Sequence, residues 1–147
     1  MKKIICALMA ISMLFCLCAC GHSPASGEQF TTVLSGKGLQ VEDLGASGMD
    51  SVTGCHVAYN EDMSIVIFFY ETRSEADAQQ AYLGAKDSFD ELSGTSTSTT
   101  AGSYARATKS AGDVYYIVAY SGATLMYGET SKDHADEIKD LFKALGY

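Results

Sequence analysis

An α+β domain is predicted: an antiparallel sheet of about six strands with three helices, in the order α-βββ-α-βββ-α. Three observations predict it. Short runs rich in Val, Ile, Tyr and Phe recur between polar breaks. The breaks are of hairpin length, which joins antiparallel neighbours. Two longer stretches instead repeat their apolar residues every three or four positions, the period of a helix buried along one stripe.

In chain order, Ser26-Gly27-Glu28-Gln29 has the form of a capping box. Phe30, Val33 and Leu34 then share a helical face, and Gly36 and Gly38 supply the stop. Leu39 to Glu42 alternates and starts a strand that ends near the Gly45–Gly48 loop. Val52 to Tyr59 and Met63 to Tyr70 form the next two strands, joined at Asn60-Glu61-Asp62. The latter strand is apolar on both sides: Met63, Ile65, Ile67 and Phe69 on one, Val66, Phe68 and Tyr70 on the other. A strand of that kind belongs in the middle of a sheet, covered on both faces.

Ser74 is placed to cap the second helix, with Glu75 and Asp77 complementing its positive end. Ala78, Ala81, Tyr82, Ala85, Phe89 and Leu92 make its buried stripe, thin enough for close approach to a sheet. Ser93 to Gly102, with six consecutive Ser and Thr residues inside it, is expected to be a mobile loop or an inter-repeat linker. Strands follow over Ser103–Lys109, Val114–Tyr120 and Ala123–Tyr127. The last helix begins near Ser131, buries Ala135, Ile138, Leu141, Phe142 and Leu145, and stops at Gly146. Glu71-Thr72 and Glu129-Thr130 occupy the same strand-to-helix junction, so the two βββα units have the look of a duplication.

The amino terminus says where the protein lives. Lys2 and Lys3 precede an apolar run from Ile4 to Leu17, too short at fourteen residues for a membrane-spanning helix of roughly 20. The run ends in Leu17-Cys18-Ala19-Cys20-Gly21, which resembles the lipobox of bacterial lipoproteins, with Cys18 where Ser, Ala or Thr is commoner. The resemblance implies cleavage before Cys20 and a diacylglycerol on its sulfur. It divides the chain into a signal peptide (1–19), a lipidated cysteine and tether (20–27) and one globular domain (28–147). The implied location is the extracytoplasmic face of the cell membrane, in a chain that resembles small Firmicute lipoproteins. In a diderm cell, Gly21 lacks the aspartate of an inner-membrane retention signal, and the outer membrane is implied.

Two acyl chains give stable residence where one is marginal. Cleavage leaves 128 residues, with eight basic against eighteen acidic side chains, a net charge of −10. Such a domain is repelled by phosphate backbones, so nucleic acid is excluded as a partner. Cys6, Cys16 and Cys18 leave with the signal and Cys20 carries lipid, so Cys55 has no cysteine to pair with.

No catalytic motif, phosphate-cradling loop or dinucleotide fingerprint occurs, and no cofactor or metal site is expected. Cys55-His56 cannot form a dyad by itself, because neighbours on a strand face opposite ways. Cys55 is expected as a small buried hydrophobe and His56 as a surface or edge residue. Asp133, Asp136, Glu137 and Asp140 fall on one helical stripe, the pattern of a solvated face. Tyr115, Tyr116, Tyr120 and Tyr127 are the candidate ligand or partner face, with Tyr115 pointing away from Tyr116 and Tyr120. The expected role is a non-catalytic binding module for an envelope protein, peptide or small ligand. The alternative, a structural accessory whose sheet pairs with a partner subunit, would follow if helices covered only one face. A thiol-dependent or hydrolytic enzyme would need Cys55 near His134 or a carboxylate in a pocket.

Overall fold

The structure is a computed structural model that describes residues 23–46 and 48–147. The signal sequence and Cys20 lie outside the described residues. Seven strands form one antiparallel sheet in the order β1-β2-β3-β7-β6-β5-β4. They are β1 (Gln40–Asp43), β2 (Val52–Tyr59), β3 (Ile65–Thr72), β4 (Thr95–Ala101), β5 (Tyr104–Ala111), β6 (Val114–Ser121) and β7 (Thr124–Ser131). The helices are α1 (Gly27–Gly36) before β1, α2 (Glu75–Glu91) after β3, and α3 (Ala135–Ala144), reached through a 3₁₀ turn (Lys132–His134). The α+β class is correct, and the strand count is corrected from about six to seven.

The added strand is β4, inside the segment expected to be a loop. Every residue of it is exposed, so it buries nothing. An edge strand needs only one neighbour for its backbone, and β4 pairs with β5 from Thr95↔Ser110 to Ala101↔Tyr104. Threonine suits a pleated surface without an apolar partner.

Alternation assigns the sheet two faces. Face A carries Ile65, Ile67 and Phe69 of β3, Ile117 and Ala119 of β6 and Met126 of β7, all buried with Phe30 and Leu34 of α1 and Ile138, Leu141 and Phe142 of α3. Face B carries Val118 and Tyr120 of β6 and Leu125 of β7, buried under Ala78, Tyr82 and Phe89 of α2. Helices therefore lie on both faces, which removes the one-face arrangement that would have favoured sheet pairing with a subunit. On face A, Gly128 is the point of closest approach. A Cβ there would stand 2.7 Å from Ile138 Cδ1 and 3.0 Å from Phe142 Cε2, so only glycine lets α3 lie this low.

The helices do not follow the expected βββα duplication. β3 and β7 are antiparallel neighbours, and a twofold axis between them along the sheet normal would interchange the two strand meanders. It would also leave both following helices on one face, whereas α2 lies on face B and α3 on face A.

The capping box of α1 forms: Gln29 N donates to Ser26 Oγ at 3.2 Å and Ser26 N to Gln29 Oε1 at 3.0 Å. The residues before it are not free tether. Ala25 and Gly27 are buried, Pro24 lies against Gly122, and Gly27 N donates to Glu71 Oε1 at 3.1 Å. The globular unit thus starts by Ser23 rather than at residue 28. Its last residue, Tyr147, is buried beside it and shares a hydrogen bond with Thr124.

Candidate binding site on the uncovered flank of face B

α2 crosses face B obliquely, with most of its contact on β6 and less on β7, β3 and β5. Its start, Ser74, follows the end of β3, while Phe89 near its other end packs on Tyr116 and Tyr127 at ring-centroid distances of 5.6 and 6.2 Å. The opposite corner of the face, where β3 begins, is left without a helix. A trough of about 460 Å³ opens there, with Met63, Val66, Phe68, Val114 and Tyr127 as its apolar lining and Asp113 and Glu129 as its carboxylates.

Local sequence builds the lip of this trough. Asn60 Oδ1 accepts from Ile65 N at 3.0 Å, and Asn60 Nδ2 donates to Ser64 Oγ at 2.8 Å. Asp62 Oδ1 accepts from Ser64 N at 3.0 Å, which, with a bond to the Ser64 side chain, holds its carboxyl below the usual range. Thr130 Oγ1 donates to Ser64 O at 2.8 Å and ties the turn to β7. Between these clamps Met63 adopts φ 57°, a left-handed conformation that is costly outside glycine. Its side chain is 58% exposed. β3 begins at Ile65, so Met63 leaves the strand to which the alternation assigned it.

Val66, Phe68 and Tyr70 are half-buried, whereas Ile65, Ile67 and Phe69 on the other side of the same strand are fully buried. β3 is central as expected, but only one of its faces is completely covered. Phe68 and Tyr70 stack at 6.1 Å. Burial pushes the Tyr127 hydroxyl up to about 12, with Glu129, Tyr116 and Tyr70 adding to the shift, so it stays a neutral hydrogen-bond donor.

The four tyrosines do not form one surface. Tyr120 is buried against Tyr82 under α2, and Tyr115 is buried on face A beneath Lys139. Tyr116 and Tyr127 remain half-exposed on face B, and only Tyr127 lines the trough. Tyr120 thus lies in the core, and Tyr115 lies on the opposite face from Tyr116 and Tyr127, at the edge of a separate basin. Met63, Val66 and Phe68 are the lining that sequence reasoning assigned to strand packing. The signal available for them was the doubly apolar strand itself.

Cys55 is buried on face B opposite Tyr70, and burial followed by the Asp43 charge raises its thiol, which keeps it protonated. His56 points to face A opposite Phe69. Instead of lying at the surface it is wedged between Phe30 and Phe69, each 6.1 Å away. Its Nδ1 is buried without a hydrogen-bond partner, the nearest carboxylate being Asp43 at 3.9 Å. The close fit explains Gly27, where a Cβ would fall 2.3 Å from His56 Nε2. His134 pairs instead with Glu137 at 3.0 Å, on the exposed turn before α3. Of the acidic stripe, Asp136 binds Lys139 at 2.9 Å. Among the described residues no three His, Cys, Asp or Glu side chains converge on a point that could hold a metal ion.

No protein-family model matches the chain, and no curated protein matches it. A crystal structure of a GTP binding regulator from Thermotoga maritima is similar to it with TM-score 0.57 at 13% identity. The match covers 85% of this chain and 93% of that one. At that identity the likeness concerns the fold alone.

Proposed function

We propose that the protein is a lipid-anchored, extracytoplasmic binding module without catalysis. Its trough on face B receives an extended segment of a protein partner that is apolar on one side and basic at its margins. The observation that carries this is the lining itself. Met63, Val66 and Phe68 stay apolar although no helix packs over them, and Tyr127, held on one side by Phe89, closes the strip. Soluble surfaces that keep a contiguous apolar strip use it for contact. The partner's charge follows from Asp113 and Glu129 in the lining and from the net −10 of the processed chain.

The anchor supports the same reading. Cys20 stands three residues before Ser23, a reach of about 10 Å. Ser23 and Pro24 lie beside Gly146 and Gly122, at the end of the sheet where β6 turns into β7. Met63, Asp113 and Val114 are at the other end of the strands, about 25 Å away for eight residues. A diacylglyceryl group on Cys20 would therefore hold the closed end at the membrane and turn the trough toward the envelope.

The test uses the full-length chain in detergent micelles and a ten-residue peptide alternating Lys with Val and Phe. Saturable binding that Phe68→Asp weakens at least tenfold is expected, since the substitution removes apolar contact while adding negative charge. Binding that is unchanged or strengthened by Phe68→Asp would be charge attraction alone and would overturn the assignment.

A further inference from the structure

On face A the coverage ends on the opposite side of the sheet. α1 packs mainly on β1 to β3 and α3 mainly on β7, and neither packs extensively on β4 or β5. A second basin, of about 390 Å³, opens along that flank. Its floor is a ladder of hydroxyls in which Thr95 stands opposite Ser110 and Thr97 opposite Thr108. The Thr97 and Thr108 hydroxyls are 2.7 Å apart, so one donates to the other and one hydroxyl hydrogen is left for a further partner. Arg106 continues the ladder opposite Thr99, and Lys139 of α3 forms the wall over the Tyr115 ring, 5.1 Å from its centroid.

Charge makes this basin unusual for the molecule. The processed chain has eight basic residues among eighteen acidic ones, yet two of the eight meet here. Lys86 and Lys139 each bind a carboxylate, whereas the Arg106 guanidinium has no carboxylate partner among the described residues. A guanidinium offers a planar fork of donors that matches carboxylate and phosphate oxygens and stays charged at every physiological pH. Asp136 neutralises part of the Lys139 charge from an almost fully exposed position, 97% accessible. Arg106 is therefore the principal anion contact.

We infer that the β4–β5 flank of face A binds a small sugar acid, a polyhydroxylated ring bearing a carboxylate or a phosphate. Arg106 takes the anionic group, with Lys139 supporting it. The Thr97–Thr108 pair and the Ser110 hydroxyl meet the ring hydroxyls, each able to donate or accept as the ligand requires. The Tyr115 edge closes the end of the basin. A volume of 390 Å³ is at the lower end of the range for small-molecule sites, which limits the ligand to one or two rings. This assignment does not depend on the trough of face B, since the two sites share no residue.

Titration calorimetry of the full-length chain in micelles, with glucuronate, glucose 6-phosphate, glucose and inorganic phosphate in turn, tests it. At least one of the two acidic sugars should bind tenfold or more tightly than both glucose and phosphate, and which one does so separates carboxylate from phosphate recognition. Arg106→Gln should weaken that binding at least tenfold, and Thr97→Val with Thr108→Val at least threefold. Asp136→Asn should strengthen it, and Arg73→Gln should leave it unchanged. Glucose binding as well as the acids would remove the role of charge. Inorganic phosphate binding as well as the sugars would remove the role of the hydroxyls. Either result, no saturation by either acid, or unchanged affinity in Arg106→Gln would overturn the assignment. The folded state of each variant is checked by circular dichroism, and Phe68→Asp serves as a control that should retain full sugar binding.

Discussion

The helices leave two regions of the sheet open, on opposite faces, and the residues there are chemically opposite. On face B the open region presents Val66, Phe68 and Tyr127; on face A it presents Thr95, Thr97, Thr108 and Arg106. Lack of a covering helix explains the second set, because a solvated sheet surface favours hydroxyls and charges. It does not explain the first. β3 could alternate apolar and polar as half-covered strands do, and instead keeps aromatic and aliphatic side chains where no helix reaches. The contrast separates an apolar, acid-rimmed trough suited to a polypeptide from a polar, cationic basin suited to a small anion. Both open at or toward the end of the sheet remote from Ser23.

The sharpest test of that contrast compares adjacent residues of β3. Phe69 is fully buried on face A, stacked on Phe30 at 5.1 Å. Phe69→Ala should cost about 3–5 kcal/mol of unfolding free energy in denaturant titration. Phe68→Ala, one position along, should cost about 1 kcal/mol while abolishing peptide binding. Equal losses would mean that the trough is ordinary core. Next in size is Gly128→Ala, which pushes a methyl group between Ile138 and Phe142. About 1–3 kcal/mol should be lost by overpacking, with peptide affinity in the trough retained because α3 does not line it.

A smaller effect separates the trough from the closed end of the sheet by pH. Burial raises Tyr127 and Tyr147 to about 12 in the folded chain, against about 10 when unfolded. The unfolded chain then loses these protons first as pH rises. The stability involved is fully present below pH 10 and lost as pH climbs toward 12. In tyrosinate absorbance near 295 nm, peptide bound in the trough should move the Tyr127 titration higher and leave that of Tyr147 in place. A shift of both together would point to global tightening instead of contact at the trough.

Much of this architecture was legible in the chain. The run Val52–Tyr59 is β2 to the residue, and Ser26 with Gln29 caps α1 as its spacing requires. β4 was hidden because the cue for a strand is apolar alternation, and a Ser/Thr edge has none; only the pairing partner reveals it. Met63 was hidden because a Met beside an apolar run reads as the first residue of a strand. Its left-handed φ is imposed by Asn60 and Asp62 through the side-chain bonds of the turn. The tyrosines divided in a way that alternation partly gives, since Tyr115 had to oppose Tyr116. Burial of Tyr120 depended on where α2 crosses the sheet, and no local pattern encodes that path.

In the proposed arrangement an outward-facing domain offers its remote end to a partner. Labelling of Met63→Cys by a membrane-impermeant maleimide on intact protoplasts, against the same variant purified, tests it most directly. Cys55 is buried and makes a silent background. Labelling on intact protoplasts is expected, slower than in the purified protein because the partner shields the trough. Labelling that requires lysis, or equal rates in the two preparations, would contradict it.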